Sequence, residues 1–417
     1  MQGESGPEAV PEPDPVTAIV DVVELRSLGN GNGNDNGLGL GSSHILLAMS
    51  WMASEIRERG GAISFRDYME LALYHPTHGY YAAARPRYGR SGDFLTAPTA
   101  SPWYGAVLAR LLRAVAVDCG APLLVDAGSG DGSLIANLLE EYGTDRTLRG
   151  VVSVERSPAM RELQVERFRE TACPVPAVED LAGTDLGDGV VVVHASELYD
   201  ALPVQRVVGR ADGLQELWVR EEAGALSWEE RAAPAALREY LAGHQVELVP
   251  GQLAEVNLEA RELHRGFLER CGEEAVSLVV DYGYEARRLY DSRGRFGGSL
   301  CCFRQHHASR DPLIDAGEQD ITAHLNWDDL RRAASDVGWA EVGLWPLAEL
   351  LVRGGLADEL ASRALGPEAE LDAATFAARQ EVKRLLDPDG MGSDLKVLVQ
   401  GRGQVLEVVR EHFTLGV

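Results

Sequence analysis

The sequence predicts an α/β protein built on a doubly wound, mostly parallel sheet, with an N-terminal helical and loop region and an inserted hairpin region. Three observations carry this. Short apolar runs alternate with helix-period segments from about residue 118 onward, the signature of consecutive βαβ units. The runs Val190–Ala195 and Val276–Asp281 are almost continuously apolar, as strands buried on both faces are. Between the apolar run Leu123–Asp126 and the helix-period segment Ser133–Tyr142 stands a turn carrying Gly128, Gly130 and Gly132.

The elements follow in order. Residues 1–44 form an acidic tail rich in Pro, Gly and Asn, in which seven acids face one base, Arg26. That composition cannot bury enough apolar area to offset chain entropy, so a disordered extension is expected. Folded structure is expected from Ile45, with a first helix to Arg59. A second helix starts at Ser64, where Ser64 and Asp67 have capping-box spacing, and stops before Pro76. Residues 75–102 form a long loop, and a helix follows at about 103–117; together 45–117 make an N-terminal region. The main domain is then 118–417. Its strands are Leu123–Asp126, Val151–Glu155, Val190–Ala195, Val276–Asp281 and Lys396–Gln400. Its helices include Ser133–Tyr142, Pro158–Glu170 and Leu253–Glu269. Residues 204–250 break the alternation and read as an inserted hairpin.

Composition narrows the function. The formal net charge is −26, from 39 basic and 65 acidic side chains. Such a surface repels phosphate backbones and anionic lipid, so a nucleic-acid partner is not expected. A cationic target suits this field better. No apolar run reaches the ~18–20 residues of a membrane span. The five cysteines lack a C-x-x-C pair, and the N-terminus lacks a secretory pattern, which leads to an expectation of a cytoplasmic location. Cys301 and Cys302 with His306 and His307 have poor metal-chelating spacing, so no metal is expected.

The chemistry concentrates in two motifs and a third segment. Asp126-Ala127-Gly128-Ser129-Gly130-Asp131-Gly132 lies between a strand and a helix. Glycines there let the backbone turn sharply and approach a ligand closely. A dinucleotide fingerprint would need another glycine where Ser133 stands. The pattern instead resembles the first motif of class I S-adenosylmethionine (SAM) methyltransferases, in which the acid, here Asp126, lies near the amino-acid end of SAM. Glu155, at the tip of the next strand, is placed to accept the ribose hydroxyls. Asp180 is a weaker candidate for the adenine amine. Beyond the fourth strand, Glu197 and Asp200 stand three apart, where two carboxylates would orient a guanidinium fork, and one of them would take a proton. A helix N-terminus decorated with acids is the alternative reading of that pair. His194 reads as a satisfied core histidine, and Trp103 and Tyr104 as core.

Four segments together resemble the MidA-like family of SAM-dependent methyltransferases, which includes the mitochondrial complex I assembly-factor methyltransferase. They are Tyr68–Pro76 with Gly79-Tyr80-Tyr81; Gly92–Pro98; Glu197–Pro203; and Asp281-Tyr282-Gly283 with Asp311-Pro312-Leu313 and Asp320–His324. The resemblance spans about residues 60–400. It implies a class I methyltransferase core and arginine methylation of a protein, a respiratory-complex subunit. By position it implies that Gly92, Asp93 and Thr96 line the SAM pocket, and that Glu197 and Asp200 hold the target arginine. Thr99, Ser129, Asp131, Ser196 and Asn326 depart from the family pattern; the glycines and both cofactor acids do not. The methyl acceptor therefore stays open between a partner protein and a small molecule, and a non-catalytic assembly factor is the alternative from another class. A homodimer is a further expectation.

Overall fold

The computed structural model describes residues 51–82 and 101–414, apart from 144, 146, 170, 172, 306 and 364–371. The acidic tail and the candidates Gly92, Asp93 and Thr96 lie outside the described residues. All described residues belong to one compact unit, Ile45–Val417.

Sixteen strands are described, β1 (Ala62–Ser64), β2 (Leu123–Ala127), β3 (Gly150–Val154), β4 (Ala177–Val178), β5 (Val191–Ser196), β6 (Gln205–Arg210), β7 (Gly213–Glu222), β8 (Ala225–Ala232), β9 (Leu253–Val256), β10 (Ala275–Tyr284), β11 (Cys301–Arg304), β12 (His307–Ser309), β13 (Asp320–Thr322), β14 (Leu325–Asn326), β15 (Ala340–Pro346) and β16 (Leu395–Arg402). The central sheet runs β4-β3-β2-β5-β10-β16-β15, with β14 continuing alongside β10. Neighbours from β4 to β10 are parallel, and β16 is antiparallel to both β10 and β15. This is a class I methyltransferase fold. The strand order reverses between β2 and β5, and in such sheets ligands bind beyond the carboxyl ends of the strands at that point.

The apolar runs explain why both faces are covered. Leu124, Val192, Leu278 and Val397 face one core with helices Pro102–Cys119, Ser133–Tyr142 and Val405–His412. Their neighbours Val125, Val193, Val279 and Leu398 face a second core with helices Leu258–Arg270 and Trp327–Asp336. Successive strand residues point to opposite faces, so a strand apolar throughout demands two covers.

The inserted region is more than a hairpin. β6, β7, β8 and β9 form an antiparallel sheet that also recruits β1, with Ile63 opposite Val219. The expected helix Leu253–Glu269 is corrected as well. Leu253–Val256 is the strand β9, paired with β6, and the helix begins at Leu258 behind Asn257, whose side chain accepts the N–H of Ala260. An Asn N-cap is worth about 1 kcal/mol and marks this boundary physically. At the N-terminus, Ser64 accepts the N–H of Asp67 and starts helix Phe65–Tyr74. That helix packs with Leu313, Ala316, Ile321 and Ala323 in a third core. The quoted segments from residues 68–81 and 311–324 therefore meet in space, and the Tyr68 hydroxyl donates to the Pro312 carbonyl at 2.6 Å.

Candidate active site

The glycine turn follows β2 at the switch point. Gly128, Gly130 and Gly132 have φ of 71°, 55° and 79°, the left-handed region that L side chains avoid. A Cβ on Gly128 would stand 2.9 Å from Leu198, and one on Gly132 would stand 2.5 Å from the Phe168 ring. Space as well as dihedral demands glycine at these two. Gln164, fully buried on helix Pro158–Arg167, stitches the loop: its amide donates to Gly130 O at 2.6 Å and Ser129 Oγ at 2.9 Å, and accepts from Ser153 Oγ at 2.6 Å. Asp131 accepts the N–H of Ser133 at 3.0 Å and opens the next helix.

Two acids flank this loop. Asp126 is the fourth residue of β2 and is 3% exposed; its Oδ1 lies 2.8 Å from His194 Nδ1. Glu155, just beyond β3, accepts the N–H of Gly130 at 2.9 Å with one oxygen and that of Ser157 at 2.7 Å with the other. A carboxylate oxygen has further lone-pair capacity, so these bonds aim Glu155 without exhausting it. Asp180 instead accepts the N–H of Ala182 at 2.6 Å in an exposed turn.

Across the switch point the chain leaves β5 through Glu197, whose φ is 49°, uncommon for a residue with a Cβ. Glu197 N–H still donates to Val280 O at 2.8 Å, so the kink stays tied to β10. Its half-buried carboxyl is pushed up to about 8, first by burial and then by the charges of Asp200 and Asp320. Burial raises Asp200 well above the carboxylate range too, with Asp281 and Asp320 adding to it. Burial pushes Asp281 up to about 7, against the N–H groups of Tyr199 and Tyr282 that stabilise its ionised form. The sequence placed Glu197 and Asp200 here, but Asp281 and Asp320 join them as a four-carboxyl cluster. Asp281 ends the run Val279-Val280, a position where a solvated acid and a site acid look alike. Asp320 is brought in by β13, and the Tyr81 hydroxyl donates to it at 3.0 Å. Tyr81 stacks on Tyr74, whose hydroxyl donates to Ala201 O at 2.9 Å.

The buried hydroxyl of Ser196 has no partner among the described residues. That orphan atom, the two glycines that no Cβ could replace, and the aimed acids fit a ligand with a polar ribose and an ammonium. Gly128, Gly130, Gly132, Asp126 and Glu155 would hold SAM. His324, burial driving its pKa down to about 3, stays neutral beside the Tyr282 and Tyr284 rings.

A doubly wound sheet, a glycine loop after its first central strand and an acid after its second define a SAM-binding enzyme of class I type. The chain belongs to the family described as "Putative S-adenosyl-L-methionine-dependent methyltransferase", whose model matches residues 105–344. It is similar to a Drosophila melanogaster protein named protein arginine methyltransferase NDUFAF7 homolog, mitochondrial, at 27% identity over 82% of each chain. It is also similar to the Danio rerio protein arginine methyltransferase NDUFAF7, mitochondrial, at 27% identity over 66% of this chain and 69% of the relative. A solved structure from Burkholderia thailandensis, bound to S-adenosyl-homocysteine, superimposes with a TM-score of 0.74 at 29% identity, covering 88% of this chain and 95% of that one. The protein is a SAM-dependent methyltransferase. The expectation of a cytoplasmic location is corrected by these curated relatives, which are named as mitochondrial proteins. Among the described residues no helix is long and apolar enough to cross a membrane.

Proposed function

We propose that the protein methylates a guanidinium nitrogen of an arginine side chain in a partner protein. The observation that carries this is the cluster of Glu197, Asp200, Asp281 and Asp320 beyond β5 and β10. Burial raises the pKa of Glu197, Asp200 and Asp281, the neighbouring carboxylates add to the rise, and at Asp200 and Asp281 what opposes it is backbone N–H groups. A site of this kind gains most from a ligand that brings its own delocalised positive charge and a planar fork of donors. The net charge of −26 favours a cationic surface around the target. The names of the relatives, protein arginine methyltransferases, agree with the reading.

Bound SAM supplies an electrophilic methyl group. Glu197 and Asp200 accept N–H bonds from the guanidinium and turn one nitrogen toward the glycine loop. Asp281 and Asp320 keep the pocket negative and spread the charge of the bound group over several oxygens. As the nitrogen gains a methyl group it loses a proton, and Glu197, ionised by the bound guanidinium, takes it; the burial that raises this carboxyl above its ordinary value favours its protonated form once the proton arrives.

The test incubates the full chain with methyl-labelled SAM and a hypomethylated protein extract, followed by acid hydrolysis and mass spectrometry. Methylarginine that disappears with Glu197→Gln and Asp200→Asn is the expected result. Label found only in the small-molecule fraction, with no methylarginine, overturns the protein-arginine reading.

A further inference from the structure

His194 and Tyr104 are used by none of the above, yet they touch the cofactor acid. Asp126 and His194 are cross-strand neighbours on β2 and β5, and their side chains lie on the same face of the sheet. His194 Nδ1 is 2.8 Å from Asp126 Oδ1, and its Nε2 is 2.8 Å from the Tyr104 hydroxyl on helix Pro102–Cys119. Relative exposures are 3%, 0% and 2% for Asp126, His194 and Tyr104, so water does not compete for these bonds. The helix is pinned by more than this bond. Gly105 lets it approach helix Ser133–Tyr142 so closely that a Cβ there would stand 3.2 Å from Asn137 Cβ. Tyr104 therefore reaches His194 from an element that cannot retreat easily.

The direction of each bond follows from the inventory of donors. A carboxylate oxygen only accepts, so Nδ1 must carry the hydrogen. In the neutral ring Nε2 is then an acceptor, and the Tyr104 O–H must donate to it. Burial and the Asp126 charge both raise the Tyr104 hydroxyl above its ordinary value, which keeps that donor in place. The chain of bonds runs Tyr104 O–H to Nε2, and Nδ1–H to Asp126. A buried carboxylate without such a donor is left unpaired and free to swing away, which would weaken its hold on an ammonium group.

We propose that His194 is a positioning residue for SAM, held in the Nδ1–H tautomer by Tyr104 so that the Asp126 carboxylate stays aimed at the amino-acid end of the cofactor. The proposal rests on the placement of Asp126 at that end. It differs from a purely packing role for His194 in what must be preserved: the hydrogen at the Nδ1 position, and not the ring.

The experiment measures S-adenosyl-homocysteine binding to the full chain by calorimetry, beside thermal melts and nitrogen-15 NMR of the histidine rings. His194→Leu, which removes the donor, is expected to weaken binding about tenfold or more, the scale of a lost hydrogen bond to a buried charge. His194→Asn, which keeps an N–H near the Nδ1 position, is expected to bind within about threefold of wild type, although both variants lose packing and melt lower. The NMR signals of His194 should show a protonated Nδ1 and a bare Nε2. A folded His194→Leu that binds as wild type does, or a ring found protonated on Nε2, overturns the proposal. If the leucine variant does not fold, Tyr104→Phe takes its place: affinity reduced about threefold supports the relay, and unchanged affinity overturns it. Asp126→Asn separates the two layers. If it binds normally, the placement of Asp126 fails and the proposal with it; if it loses binding while His194→Leu keeps it, the relay alone fails.

Discussion

Glu155 holds the glycine loop: its Oε2 accepts the N–H of Gly130 at 2.9 Å, joining the end of β3 to the turn after β2. The same carboxylate anchors Ser157 through its other oxygen at 2.7 Å. One side chain thus fixes both the loop backbone and its own aim. Glu155→Ala frees two N–H groups at once and removes the acceptor proposed for the ribose. A hydrogen bond to a charged group is worth about 1.5–3 kcal/mol, so SAM affinity is expected to fall roughly ten- to a hundredfold. Titration calorimetry reads this directly. Binding within threefold of wild type would mean that Glu155 serves the loop alone and not the ligand.

Gly132 precedes helix Ser133–Tyr142 at φ 79°, with the Phe168 ring where a Cβ would go. Gly132→Ala is expected to lower the melting temperature through a left-handed alanine, costing about 1–2 kcal/mol, together with the clash. Phe168 is 7% exposed and belongs to the first core, so it cannot swing into water. Phe168→Leu alone also destabilises. Combined, the two substitutions should cost less than the sum of the singles, since the smaller side chain vacates the clash. A double-mutant cycle by thermal melts checks this, and strict additivity would show that the clash is absent.

The central sheet was legible because its signals are local. β5 and β10 are apolar throughout, and a glycine turn separates β2 from its helix; each can be recognised without knowing the rest of the chain. The boundary at Asn257 was obscured because Leu253, Ala254 and Val256 continue the apolar character of the helix behind them. Only pairing with β6 makes them a strand. β1 escaped for a similar reason: it is three residues long and its partner β7 lies about 155 residues away, so no local pattern announces it. Glu197 and Asp200 were legible by position after a buried strand. Asp320 was not, because its place in the cluster depends on β13 reaching β11 and on Tyr81, contacts that only the assembled third core creates.

Arg206 and Glu255 face each other across β6 and β9, 3.2 Å apart, with side chains 8% and 2% exposed. Glu255 also accepts from the Ser299 N–H at 2.6 Å. Breaking such a pair leaves a buried charge, so Arg206→Met is expected to destabilise by about 3–5 kcal/mol. Adding Glu255→Gln, which keeps an acceptor for Ser299, should recover a large part of that loss. Denaturant unfolding of the three variants provides the measurement. If the double variant is less stable than Arg206→Met alone, the carboxylate is not the source of the penalty.

The pH behaviour of Glu197 supplies the most direct probe of the acid cluster. Its carboxyl is raised from 4.5 to about 8 in the folded protein. Within that window the folded state binds more protons than the unfolded one, so this group subtracts stability as pH rises from 4.5 to 8. Glu197→Gln removes the subtraction. The variant should melt roughly 2 °C or more above wild type at alkaline pH and about level with it under acid conditions. Ligand binding must run the other way. A cationic arginine peptide, offered with S-adenosyl-homocysteine present, needs the carboxylates ionised, so its affinity for wild type should strengthen as pH rises through the same window. Glu197→Gln should bind about tenfold more weakly at alkaline pH and show a shallower pH slope. A residual slope is expected from Asp281, raised to about 7, because interacting acids titrate as a group. Melting curves and peptide titrations at matched pH values test both arms. Equal pH slopes for wild type and variant would remove Glu197 from the proposed arginine pocket, whereas opposite signs for stability and affinity would identify it as a half-buried acid that a bound cation ionises.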